Sequence, residues 1–286
     1  MDNSILIETQ KLIREKFSEV EALLDADVIA YHGEIVNGVE DRIKDIVEEL
    51  KNDVDNKHEK LYILLTTPGG SVNPVKRMVT VFRHFYQEVY FIVPDYAYSA
   101  GTILCMSGDG IYMNYYSALG PIDPQVQNKD GKLVAALGYL DKVNEMIEKS
   151  RNGTLTQAEF LILKDFDLAE LRAYEQAKEL AIDLVQEWLV EYKFKDWISH
   201  ANGETVTHED KKKRAIEIAR MLSDNNRWKS HGRPITIKEL RKMKLKIDDY
   251  GENKELADAI TSYHNMMVQY IKMNKFDIFA QTRRFL

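Results

Sequence analysis

Three short stretches hold the residues best suited to chemistry: Thr67-Pro68-Gly69-Gly70-Ser71, Tyr98-Ser99-Ala100-Gly101-Thr102 and Gly120-Pro121-Ile122-Asp123-Pro124. Ser99 is the obvious nucleophile. It follows the strand-like run at 91–93 and precedes a run of small residues that lets a substrate backbone approach closely. A serine at a strand-to-helix turn exposes its Oγ, and the amide of Ala100 can join the Gly69 N–H, with Gly70 beside it, as an oxyanion hole. Free N–H groups where a glycine-rich turn meets a helix are suited to holding an anion or oxyanion. Taken alone, a serine at this position also suits a helix N-cap.

Elements that could position these residues are legible around them. The β-rich run at 61–65 reads as a buried strand stopped by Pro68-Gly69-Gly70, after which Ser71 can cap a helix. Ahead of it, residues 5–24 form an amphipathic helix, 27–32 a strand and 39–50 a helix, so that with the strand at 60–66 the chain makes a βαβ unit and a parallel sheet. Helix 72–86, strand 89–93, helix 100–107 and strand 110–113 continue the alternation of a layered α/β core. After Pro124 long charged helical patterns take over at 133–151, 156–166 and 168–192, read as a helical arm. A loop at 194–207, a helix at 209–223, a turn-rich joint at 227–235, a helix capped by Thr236 with Glu239 in the capping box, a short strand at 245–247 and a helix at 254–276 complete the chain. The expected organisation is an N-terminal helix (1–24), a catalytic core (25–132), a helical arm (133–225), a return to the core (226–250) and a C-terminal helix (251–286). Leu161, Leu163, Phe166, Leu171, Leu180, Leu184 and Trp188 in the arm need apolar partners, so the arm is expected to self-associate or to roof a substrate groove.

Composition narrows the class. The chain has 286 residues, 44% hydrophobic and 30% charged, enough for a sizeable core and unlike a disordered chain. A net charge of -7 provides no basic stripe for nucleic acid, and Lys211-Lys212-Lys213 sits beside Glu209 and Asp210 as a solvated helix start. The single cysteine, Cys105, cannot form an internal disulfide and lies in an apolar run as a buried thiol, so a reducing, cytoplasmic setting is expected. No window approaches the roughly 20 apolar residues of a membrane span, and no signal-peptide core is present. The seven histidines show no His-Glu-x-x-His spacing, so no metal site is expected.

In this order and spacing the three stretches, the last extended to Ala118-Leu119-Gly120-Pro121-Ile122-Asp123-Pro124-Gln125, resemble the serine dehydrogenase proteinase family, Clp-class prokaryotic serine peptidases related to signal peptide peptidase A. Glu187-Trp188-Leu189, Tyr192-Lys193-Phe194 and above all Trp228-Lys229-Ser230-His231-Gly232-Arg233-Pro234-Ile235 are similar to that family's C-terminal signature, and coverage runs from about Asp25 to about Tyr263. The resemblance implies a Clp/crotonase-like fold of repeated ββα units, Ser99 as nucleophile, Gly69 and Ala100 as oxyanion donors, peptide or unfolded-protein substrates, no cofactor and a homo-oligomeric assembly.

The general base does not follow from the motifs. Clp proteases place a histidine some two dozen residues after the serine, and the nearest match here is Asp123, which between two prolines also suits a turn. Signal peptide peptidase relatives use a lysine of lowered pKa; Lys132 and Lys142 occupy the comparable stretch, and both also suit a solvated helix face. His231 lies in a turn resembling the one that supplies the Clp triad's aspartate, and its imidazole titrates in the useful range, although it could equally pack or cap beside Arg233. Three functions follow: a cytoplasmic serine endopeptidase acting through a Ser99 acyl-enzyme, a catalytically silent interaction protein on the same fold, and acyl-thioester chemistry of the crotonase type, for which no basic adenine pocket is evident.

Overall fold

Alternation along β1 (Asp27–Gly33) decides the layering. Ile29 and Tyr31 point to one side of the sheet, Val28 and Ala30 to the other, and all four are buried, so both faces must be covered. The computed structural model, which describes residues 3–52, 58–123, 125–127, 131, 133–230 and 232–284, shows how. Strands β2 (Lys60–Thr66), β3 (Glu88–Ile92), β5 (Gly110–Met113) and β10 (Asp248–Asp249) run parallel to β1, and β11 (Ile278–Gln281) adds an antiparallel edge, in the order β10-β5-β3-β2-β1-β11. Helices α2 (Val39–Lys51), α3 (Val72–Phe85) and α4 (Ala100–Met106) cover the first face, and α1 (Asn3–Leu24) with α11 (Lys254–Asn274) cover the second.

A smaller sheet lies beyond the C-terminal ends of the main strands. It consists of β4 (Tyr96–Ala97), β6 (Ala118–Leu119) and β9 (Ile235–Thr236), with β4 and β6 parallel and β6 and β9 antiparallel. Strand β3 in the large sheet, β4 in the small one and α4 form the expected ββα unit, and an isolated bridge between Thr67 and Ala97 joins the end of β2 to it. Catalytic and binding groups of open α/β sheets collect at this end of the strands.

The remaining chain is helical: α5 (Ala136–Arg151), α6 (Gln157–Lys164), α7 (Leu168–Trp188), a π-helical turn (Leu189–Lys193), α8 (His208–Leu222), α9 (Asn225–Trp228) and α10 (Ile237–Lys242), with a 3-10 turn (Tyr250–Glu252) before α11. The C-terminal half of α7 packs on the core through Ala181, Leu184, Val185 and Trp188, whereas Leu171 and Tyr174 join Ala136 and Leu140 in a separate small cluster. Leu161 on α6 remains exposed.

Four expectations are corrected. Residues 133–135 are not helical: β8 (Leu133–Ala135) pairs with β7 (Gln125–Gln127) as a hairpin before α5. The strand expected at 245–247 lies at Asp248–Asp249, where main-chain partners exist at Tyr112 and Met113, while Leu245 and Ile247 are buried as connecting chain. Ser71 occupies the N-cap of α3 without a side-chain cap bond. The helix starting at Leu168 changes to π geometry at Leu189.

Candidate active site

Ser99 has φ 51 and ψ -113, and among the described residues it is the buried one of five non-glycine residues with positive φ. Such a conformation costs roughly 1–3 kcal/mol and persists only where the surroundings over-determine it. Here the Tyr98 N–H donates to the Thr67 carbonyl at 3.0 Å, Gly101 N–H to the Tyr98 carbonyl at 2.8 Å and Ile103 N–H to the Ser99 carbonyl at 3.1 Å. Ser99 stands at the N-cap of α4, yet its side chain makes no cap bond; its Oγ donates to the main-chain carbonyl of Asp123 at 2.7 Å. The hydroxyl thus points away from the helix it precedes, toward the third motif.

Gly69 is pressed against this turn. A Cβ there would lie 2.7 Å from the Tyr98 carbonyl oxygen and 2.8 Å from Ser99 Cβ, and its φ is +106. Its N–H is already committed, donating to Thr67 Oγ1 at 3.0 Å. At Gly70 a Cβ would fall 2.2 Å from the Ile35 carbonyl oxygen, because the chain forms a parallel bridge with Ile35. That bridge uses the Gly69 carbonyl, which accepts the Ile35 N–H at 2.7 Å, and the Ser71 N–H, which donates to the Ile35 carbonyl at 2.8 Å, leaving the Gly70 N–H outside it. Ala100 is the first residue of α4, so its N–H has no acceptor inside the helix. The geometry therefore gives Gly69 the close approach to the Ser99 turn, and it leaves the Gly70 N–H outside the Ile35 bridge and the Ala100 N–H outside the hydrogen bonds of α4.

The four candidate bases separate. Asp123 is buried, its main-chain carbonyl accepts from Ser99, and its Oδ1 accepts the Leu137 N–H at 3.0 Å in the first turn of α5. Lys142 faces solvent farther along α5, paired with Glu145 at 2.9 Å, and does not join the site. Lys132 and His231 lie outside the described residues. The motif around Trp228 nevertheless returns to the site: Trp228 is buried with its Nε1 donating to the Met221 carbonyl at 2.7 Å, and Ile235 in β9 pairs with Leu119 in β6. Cys105 is fully buried, and burial pushes its thiol well above the usual range.

Two hydroxyls that sequence reasoning passed over brace the site. Thr67 Oγ1 holds the Gly69 N–H, and Thr102 Oγ1 lies 2.8 Å from the Ala97 carbonyl, 2.9 Å from the Gly120 carbonyl and 3.0 Å from the Gly120 nitrogen. Both residues are buried. The available signal was a threonine within a run of apolar and small residues, since a buried hydroxyl must find partners.

Known proteins are similar to this chain at family level. Residues 38–211 match the family model described as ClpP-like SDH-type serine proteinase. Two uncharacterized proteins of Methanocaldococcus jannaschii are similar: MJ0137 at 26% identity over 193 residues, covering 67% of this chain and 54% of that protein, and MJ1495 at 23% over 186 residues, covering 65% and 51%. The chain spans about half the length of the curated relatives it matches. Among solved structures, a mutant of the 1510-N membrane-bound stomatin-specific protease aligns with TM-score 0.45 and 14% identity over 78% of this chain and 77% of that one. The ClpP protease catalytic domain from Plasmodium falciparum aligns with TM-score 0.41 and 13% identity over 87% and 90%.

Proposed function

We propose that this chain, which belongs to the ClpP-like SDH-type serine proteinases, hydrolyses peptide bonds through an acyl-enzyme formed on Ser99. The observation that carries the reading is the positive-φ turn at Ser99, buried against Gly69, with its hydroxyl turned toward Asp123 instead of capping α4. Ser99 Oγ adds to the scissile carbonyl carbon, and the carbonyl oxygen takes the negative charge. The Gly70 and Ala100 amides supply hydrogen bonds to that oxyanion; removing one such donor typically costs about 10²–10³ in rate. The C–N bond then breaks, the amine leaves with a proton, and water hydrolyses the ester to release the acid and restore Ser99.

A serine hydroxyl needs a proton acceptor, and the Asp123 carbonyl holds the hydroxyl without being basic enough to deprotonate it. With Lys142 paired on the surface and the Asp123 carboxylate bonded at α5, His231 and Lys132 are the side chains to test. The enzyme is read as a cytoplasmic, self-associating endopeptidase of unfolded segments; the lone buried Cys105 and the exposed apolar side chains Phe160, Leu161 and Ile162 on α6 support that setting. Among the described residues no helix is long and apolar enough to cross a membrane. Hydrolysis of a denatured protein, followed across pH for the wild type, His231→Ala and Lys132→Ala, tests the reading. The base variant should lose about 10²–10⁴ in rate. A second reading, an interaction protein without turnover, draws on the sealed Ser99 bonded to a main-chain carbonyl, and requires that no variant or pH alters a zero rate.

A further inference from the structure

We propose that Thr102 is a positioning residue for the Ser99 reaction, a hydroxyl clamp that sets the nucleophile turn against the segment that receives its Oγ. The inference rests on the reading of Ser99 as the nucleophile and extends it to a residue that touches no reacting atom.

The small sheet shows why a clamp is needed. Strands β4 and β6 pair at Tyr96 with Ala118 and at Ala97 with Leu119, and their ladder ends there. Ser99 lies two residues past the end of one strand, and Asp123 four past the end of the other, so no strand pairing fixes the Oγ-to-carbonyl distance of 2.7 Å. Thr102 takes over where the ladder stops. Its Oγ1 has one proton, which goes to the Ala97 carbonyl at 2.8 Å or the Gly120 carbonyl at 2.9 Å, and an oxygen lone pair accepts the Gly120 N–H at 3.0 Å. One atom thus ties the residue two before Ser99 to the residue three before Asp123.

The surroundings make the tie stiff. Thr102 is fully buried, so its hydrogen bonds are shielded from water. Gly120 is also packed against Tyr98, whose ring atom Cδ1 would lie 2.9 Å from a Cβ at that position. The far end of the segment is anchored independently, since the Ile122 N–H donates to the Leu222 carbonyl at 2.9 Å. Valine matches threonine in shape but can neither donate nor accept these bonds, whereas serine keeps the hydroxyl and loses only the methyl.

The experiment compares wild type, Thr102→Val and Thr102→Ser by the rate of modification with a fluorophosphonate probe, by kcat and KM on a denatured protein, and by amide hydrogen exchange of residues 118–123. A misplacement near 1 Å can cost about 10²-fold in rate. Thr102→Val should therefore label and turn over roughly 10–100-fold more slowly with KM within about twofold, and its Gly120 amide should exchange faster. Thr102→Ser should restore both rate and protection to near the wild type. Thr102→Ala serves as the second hydroxyl-free variant if the valine protein does not fold. Equal losses in Thr102→Ser and Thr102→Val overturn the clamp, because the methyl and not the hydroxyl would then matter. Exchange at Gly120 indifferent to the hydroxyl overturns it whatever the probe does. A wild type that takes no probe overturns the peptidase reading and, with it, a role for Thr102 in that reaction; loss of hydroxyl-dependent exchange where the wild type does take the probe overturns the clamp alone.

Discussion

Replacing Gly69 by alanine separates the tasks assigned to the first motif. The new methyl would meet the Tyr98 carbonyl oxygen at 2.7 Å, Ser99 Cβ at 2.8 Å and the Ala100 nitrogen at 3.3 Å, on a backbone with φ +106. The positive φ costs an L-residue roughly 1–3 kcal/mol. Overpacking against neighbours that cannot swing aside adds roughly 1–3 kcal/mol. Their sum, about 2–6 kcal/mol, is a large share of the roughly 5–15 kcal/mol that holds a domain folded. At about 2–4 °C per kcal/mol for a chain of this class, the melting temperature should fall on the order of 10 °C. Relief of the overlap moves Ser99 itself, so probe labelling should fall further than stability alone requires. Gly138→Ala is the internal control: a methyl there meets nothing within 4 Å, and α5 gains about 0.5–1 kcal/mol from the better helix former. Thermal unfolding by circular dichroism and labelling at a temperature where both variants are folded provide the readout. A Gly69→Ala protein with wild-type melting and wild-type labelling would refute the packing argument.

Thr67→Val removes the acceptor of the buried Gly69 N–H while keeping the shape that fits Gly101, so an unsatisfied amide costs about 1–3 kcal/mol, seen as a lower denaturant midpoint and slower labelling. Burial first, and then the neighbouring His32, hold His264 down at about 4 from its ordinary 6.5. Between those values the unfolded chain takes a proton that the native protein refuses, so stability should fall as pH drops from about 6.5 toward 4. Denaturant midpoints at several pH values should show a shallower fall for His264→Leu, with a residual slope from His32, whose pKa is also lowered by burial. Arg83 bonds Asp109 at 2.7 Å and lies 3.7 Å from the Tyr192 ring centroid, with both charged side chains largely buried. Arg83→Met leaves Asp109 still paired with Lys195 at 2.6 Å and bonded to the Val89 N–H at 2.7 Å, so it should cost about 1.5–3 kcal/mol in chemical denaturation.

The parallel core was legible because its strands are apolar runs buried on both faces and its helices repeat at the helical period, signals that survive without tertiary information. Strands decided by a distant partner were not. Ile278–Gln281 follows the left-handed Lys275 and becomes a strand only through β1, at the other end of the chain, and Asp248–Asp249 is a strand because Tyr112 and Met113 offer it main-chain bonds. The hairpin residues Leu133–Ala135 carry an apolar pattern too short to distinguish from the helix that follows. At the site, the serine and glycines could be picked out by type, but a positive φ at a serine depends on packing between separate segments, and residue type alone does not say that the Thr67 hydroxyl, two positions back in the same turn, takes the Gly69 N–H. The solvated reading of Lys142 was legible, since Glu145 lies three residues on along the same helix.

The central claim is that Ser99 is a nucleophile. Its most direct test is peptide mapping by mass spectrometry after treatment with a fluorophosphonate probe, on wild type and Ser99→Ala side by side. The account predicts one stoichiometric phosphonyl adduct on the peptide containing Ser99 in the wild type and none in the variant. An adduct carried equally by both proteins, or no adduct on the wild type at any pH at which it stays folded, would contradict it.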